Sequence, residues 1–378
     1  MSSATSSFID FKSHGTAIKW EDYIKYNDCR KEMEKYKSFW NTVCDVELRK
    51  DYNNNYILSR SSDIFENVWI EVDSLKEEYT IRELFNLFKN IQILGNGDSL
   101  IDFCPVSLDF IYNFMSDNEK KVYENLAENG CLLLPCDLVL PMQDLPYANL
   151  EIKIDTNVET NVNVYAKYTT LPDETRFKMR HARERTNNMR YLSYPTVIVD
   201  VDNLSTFYTP LKFKGFTNEL MYAIRDKDTL EYIPKLIHTS TLRYSNSERF
   251  RMNSLQSSIL NPSLYKKTIG PYEIHLISLG SNIGSCTDFS RLAEIGLQIE
   301  FNSKEVTKYF LKKLVMIGLT NKNLFGGILM CSEVLRDIFN FLPCNGSTEI
   351  KSLELCVVQV KTNLIACGQG CIAFPYYY

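Results

Sequence analysis

The sequence predicts an all-β protein made of two successive β-sandwiches with helical insertions. Three observations carry that prediction. Short runs of alternating apolar and polar residues, bounded by turn residues, recur along most of the chain. The composition sets 23 Tyr and 21 Phe against 15 Gly and 12 Pro, and aromatic enrichment suits pleated, half-buried surfaces. The regular strand–helix alternation of a parallel α/β enzyme is missing.

Bulk properties bound the function. A chain of 378 residues can bury a substantial core and suits two domains of ordinary size. Its 44% hydrophobic and 24% charged residues are globular rather than disordered proportions. A formal net charge of -5 weighs against sequence-independent binding of nucleic acid, which needs a basic face. No apolar run reaches the length of a membrane span, since "CLLLPCDLVLP" is broken by Pro135 and Asp137. The opening "MSSATSSFIDFKSHGTAIKW" has neither a basic nor an apolar signal region, so a cleaved secretion signal is not expected.

The elements follow in order. Residues 1–18 are Ser-rich and read as an arm; residues 18–40 have helical spacing. Residues 54–73 read as two strands around "SRSSD". "YTIRELFNLFKNIQILGNGDSLIDF" reads as a strand, a Gly-Asn-Gly-Asp turn and a second strand. Residues 106–129 read as helix, with Ser116-Asp117 as a cap inside it. A β-run follows, interrupted by Pro135, Pro141 and Pro146, in which Leu150, Ile152 and Ile154, then Val162, Val164 and Ala166, mark one face. "PTVIVDVDNLSTF" (195–207) reads as the joint between halves. Residues 211–301 form a second β-region, residues 303–343 are helical in spacing, and "IKSLELCVVQVKTNLIACG" closes with a strand.

Several segments, read in chain order, resemble the major capsid proteins of nucleocytoplasmic large DNA viruses, the double jelly-roll lineage. "LSRSSDIFENVWIEVD" is similar to an Arg–Asp turn between two early strands, and "IQILGNGDSLID" to a Gly-rich turn ending in Ile-Asp. "LPCDLVLPMQDLPYANLEIKI" resembles a proline-bounded run, with "ANLE" after Tyr147 where the family carries a histidine. "YTTLPDETRFKMRHA" resembles the end of the first roll and "LKFKGFTNELMYAIRD" the entry to the second. "SERFRM" and "IGPYEIHLISLGSNIGSCTDFSRLAEIGLQI" resemble the later strands and an Asn-Phe-Ser-Arg signature, here with Asp288 for Asn. "KTNLIACGQGCIAF" is similar to the closing strand in outline; the 303–343 insertion departs from the family.

The resemblance implies two consecutive eight-stranded jelly rolls with helical insertions: an arm and helix over 1–40, a first roll over 41–202, and a second roll over 203–378 that carries the 303–343 insertion. It implies a structural major capsid protein forming pseudo-hexagonal trimeric capsomers of an icosahedral shell. The expected partners are the chain itself, as homotrimer and neighbouring capsomers, with minor capsid proteins or an inner membrane, and no specific nucleic acid. The expected location is the virion, with assembly in a host cytoplasm that keeps thiols reduced. Two alternatives stand beside it: a poxvirus-type double jelly-roll scaffold of immature particles, and a cellular β-sandwich binding module.

Individual residues divide between surface and core. Trp69, Tyr165, Tyr208, Phe213, Tyr222 and Tyr376-Tyr377-Tyr378 are candidates for either subunit contacts or core. In "CTDFSRLAEIGLQIEF", Phe289 is expected to plug the core, Ser290 to bond backbone, and Arg291 to pin the turn to a carboxylate or carbonyl. The basic run 176–190 reads as a solvated connector, or else as a surface facing genome or anionic lipid. No catalytic, cofactor or metal residue is assigned. His14, His181, His238 and His275 are isolated, without the clustering that a metal-dependent cupin needs. The eleven cysteines, including the pairs Cys131/Cys136 and Cys367/Cys371, lack zinc or redox spacing and read as free thiols. "LGNGDS" reads as a turn rather than a phosphate site, and Asn203 and Asn345 head glycosylation sequons whose occupancy is not expected.

Overall fold

The computed structural model describes residues 42–52, 55–59, 62–73, 78–142, 145–171, 187–245, 247–280, 286–320, 353–368 and 371–373. Among the described residues sixteen strands carry the architecture, eight in each half, and five short ones (Arg49–Lys50, Leu140–Pro141, Thr196–Asp200, Thr287–Asp288 and Cys371–Ala373) pair beside them. The first half holds β1 (Thr42–Glu47), β2 (Tyr56–Ile57), β3 (Ile64–Val72), β4 (Phe88–Gly95), β5 (Asp98–Phe103), β6 (Cys131–Leu133), β7 (Leu150–Thr156) and β8 (Val162–Thr170). The second holds β9 (Asn187–Ser193), β10 (Thr206–Pro210), β11 (Phe216–Asp226), β12 (Ile237–Tyr244), β13 (Ser247–Asn253), β14 (His275–Ser278), β15 (Ile295–Phe301) and β16 (Leu353–Gly368).

Each half wraps these strands the same way. The first pairs them as β1-β8-β3-β6 in one sheet and β2-β7-β4-β5 in the other. The second repeats both orders as β9-β16-β11-β14 and β10-β15-β12-β13. Adding eight to each strand number of the first half generates the second. Every pairing is antiparallel. Eight antiparallel strands split in this order between two facing sheets are a jelly roll, so the chain is a double jelly roll.

Periodicity explains which side of each strand is dry. In β8, Val162, Val164 and Ala166 point into the first core while Asn163, Tyr165 and Lys167 between them stay partly open. The hairpin joining β4 to β5 has two residues, with Asn96 at φ 55 and Gly97 at φ 88. That left-handed pair is what the tight "NG" turn demands, and it matches the twist of the flanking strands. The "LGNGDS" segment is this turn. The first core gathers around Phe65, Ile70, Phe88, Ile91, Ile93, Val164 and Tyr168; the second around Leu220, Tyr222, Leu242, Leu297, Ile299 and Leu355.

Helices occupy the connections. α1 (Ile81–Leu87) precedes β4, where the sequence pattern reads as strand. Its cause is a capping box: Thr80 Oγ1 accepts from Glu83 N at 3.3 Å and Glu83 Oε2 accepts from Thr80 N at 3.0 Å. α2 (Pro105–Asn113) and α3 (Asp117–Glu128) fill the link from β5 to β6, and Ser116 caps α3 as expected. A helical turn over residues 254–264 fills the same link in the second roll, from β13 to β14, inside what reads as continuous β-region. α4 (Ser303–Thr320) lies between β15 and β16. The remainder of the 303–343 insertion and the helix expected over 18–40 fall outside the described residues.

Strand pairing also runs across the expected joint. Asn187–Ser193 and Thr196–Asp200 precede residue 203, yet both pair with β16, in registers Tyr191↔Asn363 and Ile198↔Cys356. They are the first strand of the second roll, broken once at Tyr194-Pro195. A local apolar run cannot reveal a partner that lies more than a hundred residues later.

Truncation tests the first core. Phe65 is wholly buried and meets Tyr168 edge-on at 6.0 Å. Phe65→Ala is expected to cost roughly 3–5 kcal/mol, seen as an earlier urea midpoint. An unchanged midpoint would contradict its position.

Candidate assembly surfaces

α2 starts at Pro105, directly after β5, and the ring of Pro105 suits a first helical turn that needs no amide donor. Leu108 and Tyr112 face the helix's own roll. Val106 and Phe110, one turn apart, face away from it and pack on Met221, Ala223, Leu276, Cys356, Val358 and Val360 of the second roll. One helix therefore covers the outer side of the sheet that β11, β14 and β16 build. Burying side chains of this size contributes about 1.5–3 kcal/mol each.

A polar cluster sits beside that apolar seam. The Arg82 guanidinium on α1 lies 5.0 Å from the ring centre of Tyr232 and 5.1 Å from that of Tyr272, both in the second roll. Its Nε is 3.7 Å from the Asp109 carboxylate, which accepts from the Tyr232 hydroxyl at 3.0 Å. Arg82 also donates to the Leu230 carbonyl. Burial pushes the Asp109 carboxyl up to about 6, outweighing the nearby guanidinium and hydroxyl. Beyond it, Arg225 is paired with Glu354 and Lys267 with Glu219. At the rim the Tyr272 amide donates to Asn113 Oδ1 at 3.0 Å. Gly270 lies so close that a Cβ would come within 2.4 Å of the Asn113 carbonyl oxygen, so the seam closes only over glycine.

The Phe-Ser-Arg step forms a single 3₁₀ turn, Phe289–Arg291, at the mouth of the second core. Phe289 is 1% exposed and meets Tyr244 edge-on. Asp288 Oδ1 caps the turn by accepting from Ser290 N at 3.0 Å. Ser290 Oγ accepts from Gly215 N at 2.9 Å, while Phe289 N donates to the Gly215 carbonyl at 2.9 Å. Arg291 Nε lies 3.2 Å from Asp288 Oδ2. Plug, backbone bond and carboxylate pin all stand where the sequence placed them. The turn borders a groove of about 890 Å³ between the rolls, which Ser99 and Asp102 line from β5 and Lys361 and Asn363 from β16.

The aromatic candidates separate. Tyr222 and Phe213 are core. Trp69 and Tyr165 stack at 4.0 Å on the outer face of the first roll, half-exposed, and the Tyr165 hydroxyl donates to Glu71 at 3.1 Å. Tyr208 is exposed and bonded to Glu294. The stretch Tyr376–Tyr378 falls outside the described residues. Sequence reasoning missed the exposed apolar side chains Leu255, Ile259, Leu260 and Leu264. Their four- and five-residue spacing was the available signal, hidden by reading the whole stretch as strand.

Residues weighed for chemistry do not converge. Among the described residues no group of three His, Cys, Asp or Glu side chains could hold a metal. His275 is buried against Tyr222, with Nδ1 2.8 Å from Ser257 Oγ, and burial holds it neutral, down to about 3. His238 is exposed; His14 and His181 fall outside the described residues. Cys104, Cys131, Cys136 and Cys356 are free thiols, and burial lifts that of Cys136 to about 12, away from the reactive thiolate. Of the basic run only Asn187–Arg190 is described, in β9. Asn203 is exposed with its amide oxygen bonded to Ser205; Asn345 falls outside.

Solved structures share this architecture. VP54 of PBCV-1, in a crystal structure fitted into a cryo-EM reconstruction of the virophage Sputnik, superposes with a TM-score of 0.66 at 10% identity, over 90% of this chain and 97% of that one. A quasi-atomic model of the PBCV-1 capsid gives 0.64 at 10% identity over the same shares. The Faustovirus major capsid protein gives 0.58 at 7% identity, over 86% and 90%. No family model and no curated protein matches the sequence. At such identities the likeness establishes the fold: this chain has the double jelly-roll architecture of those capsid proteins.

Two outcomes are expected here. A carboxyl whose folded value lies above its unfolded one adds stability that is complete below about pH 4 and is lost as the pH rises through about 6. Asp109→Asn should therefore flatten the fall in melting temperature between pH 4 and pH 6, a difference of at most about 3 kcal/mol; identical slopes would refute the assignment. At the turn, Phe289→Ala should cost roughly 3–5 kcal/mol. Arg291→Ala should change stability by under about 0.5 kcal/mol, because its ion pair is half in water. The reverse ranking in urea titrations would sink this division of labour.

Proposed function

We propose that this chain is a major capsid protein: a structural, non-catalytic subunit that forms pseudo-hexagonal trimeric capsomers of an icosahedral viral shell. The observation that carries the reading is the repeated strand order, two eight-stranded rolls of one topology joined side by side by a dry seam. Three such chains supply six similar sandwiches, and six similar units around an axis tile a flat facet. The fold likeness extends over nine-tenths of the chain. A heavily aromatic composition suits subunit contacts.

In this reading the chain's first partner is itself, within the trimer and between neighbouring capsomers. Minor capsid proteins or an inner membrane are the further partners, the virion is the destination, and a reducing host cytoplasm is the place of assembly. The two rolls meet ahead of Asn187, since Asn187–Ser193 pairs with β16.

Light scattering on the purified chain tests this directly. A stable species of three times the 43.9 kDa chain mass is expected. A species that stays monomeric at every concentration would overturn the proposal.

A further inference from the structure

The two rolls place a helix at the same point of the same topology, and only one of those helices is covered. α2 leaves β5 and lays Val106 and Phe110 on the outer face of the second roll's sheet. Residues 254–264 leave β13 in the corresponding way, and there Leu255, Ile259, Leu260 and Leu264 are 56%, 42%, 48% and 75% exposed. The spacing of Leu255 and Ile259 repeats that of Val106 and Phe110. Four exposed large aliphatic side chains within this short helical stretch are expensive to leave in water.

The faces that such helices could cover show the same asymmetry. In the second roll β11 and β16 are buried on both sides, and the row Val358–Met221–Leu276 lies under α2. In the first roll the corresponding row across β1, β8, β3 and β6 is Glu47–Tyr165–Trp69–Leu133. Tyr165, Trp69 and Leu133 are half-buried, and Leu133 also packs against the first core. Among the described residues, then, one helical stretch stands exposed and one sheet face stands partly open.

Resting on the capsomer reading, we propose that Leu255, Ile259, Leu260 and Leu264 of one copy dock on the Tyr165–Trp69–Leu133 face of the next copy. The contact between chains then repeats the contact that Val106 and Phe110 make within one. Charge agrees with the pairing. Asp45, Glu47 and Glu71 share the outer face with Lys167, which leaves it acidic, and Lys266 is exposed just past the helical turn. The row is aromatic and flat, with two rings already stacked, the kind of surface that takes an aliphatic ridge at low entropy cost.

The test uses the full chain. Ile259→Asp combined with Leu264→Asp, and separately Trp69→Asp, are measured by light scattering beside the parent, with circular dichroism and melting curves to check folding. Ile259 and Leu264 are exposed in the single chain and Trp69 is half-buried on an outer face, so both variants should fold. The expected result is a trimeric parent and two folded monomers at the same concentration. As a second measurement, a chain carrying Ile259→Cys is mixed with one carrying Trp69→Cys, dissociated, reassembled and oxidised; an interchain disulfide is expected only from the mixture. A trimeric parent whose charged variants stay trimeric, or a mixture that gives no specific cross-link, overturns this surface while leaving the capsomer reading standing. Cross-linking abolished by removal of residues 1–41 also overturns it, because that segment would then be the bridge. A parent that never associates overturns both.

Discussion

β16 is dry on both faces, and the rest of the molecule is arranged around that fact. Leu353, Leu355 and Val357 enter the second core; Cys356, Val358 and Val360 between them face α2; Ile365 and Cys367, further along, enter the first core. A jelly-roll sheet needs only one covered side, because its other side can face water. Once the alternate positions of β16 are apolar, the outer side needs a cover as well. The first roll supplies it, so the two sandwiches are one body rather than beads on a linker. Breaking that seam would expose a row of Val, Met and Leu with no polar relief.

The asymmetry between covered and open faces was written in the sequence. "LCVV" in β16 and "LMYAI" in β11 run apolar without alternation, the signature of a strand enclosed on both sides, whereas "VNVYAKY" in β8 and "NVWIEV" in β3 alternate cleanly. The turn around Phe289 was legible for the same reason: a buried aromatic between a capping Asp and a small hydroxyl has few ways to sit. What stayed hidden was short or distant. α1 has seven residues, and its Thr-x-x-Glu box is a two-residue signal inside a strongly apolar stretch. The 254–264 turn is rich in Ser, Gln and Asn, so its apolar stripe is diluted. The pairing of Asn187–Asp200 with β16 depends on a partner that no local window contains.

The polar groups at the seam follow a different logic. Placing Arg82 and Asp109 out of water works against stability, and a buried ion pair recovers little of that cost by itself. The two tyrosine rings flanking the guanidinium, and the hydroxyl that reaches the carboxylate, replace hydration with fixed partners. Such groups make the seam specific: a slipped register would strand a charge, while apolar surfaces alone would tolerate the slip. His275 shows the contrast. It is buried between the Ser257 hydroxyl and the Glu273 carboxylate, 3.6 Å away, is held neutral by burial, and lies flat against Tyr222.

Two like units joined in one chain make one seam internally and leave the complementary halves of another unused. In the proposed docking the two surfaces differ, aliphatic side chains on one copy and an aromatic sheet face on the next, so copies would associate head to tail rather than across a two-fold axis. Head-to-tail contacts close into rings when the rotation per unit divides a full turn and otherwise run on into filaments. If the seam between copies repeats the internal one, a single rotation governs every step around the assembly. The angle set by α2 on β16 then fixes the number of rolls in the closed ring. The geometry of one intramolecular contact, held rigid by a doubly buried strand, is in that case what decides the symmetry of the proposed assembly.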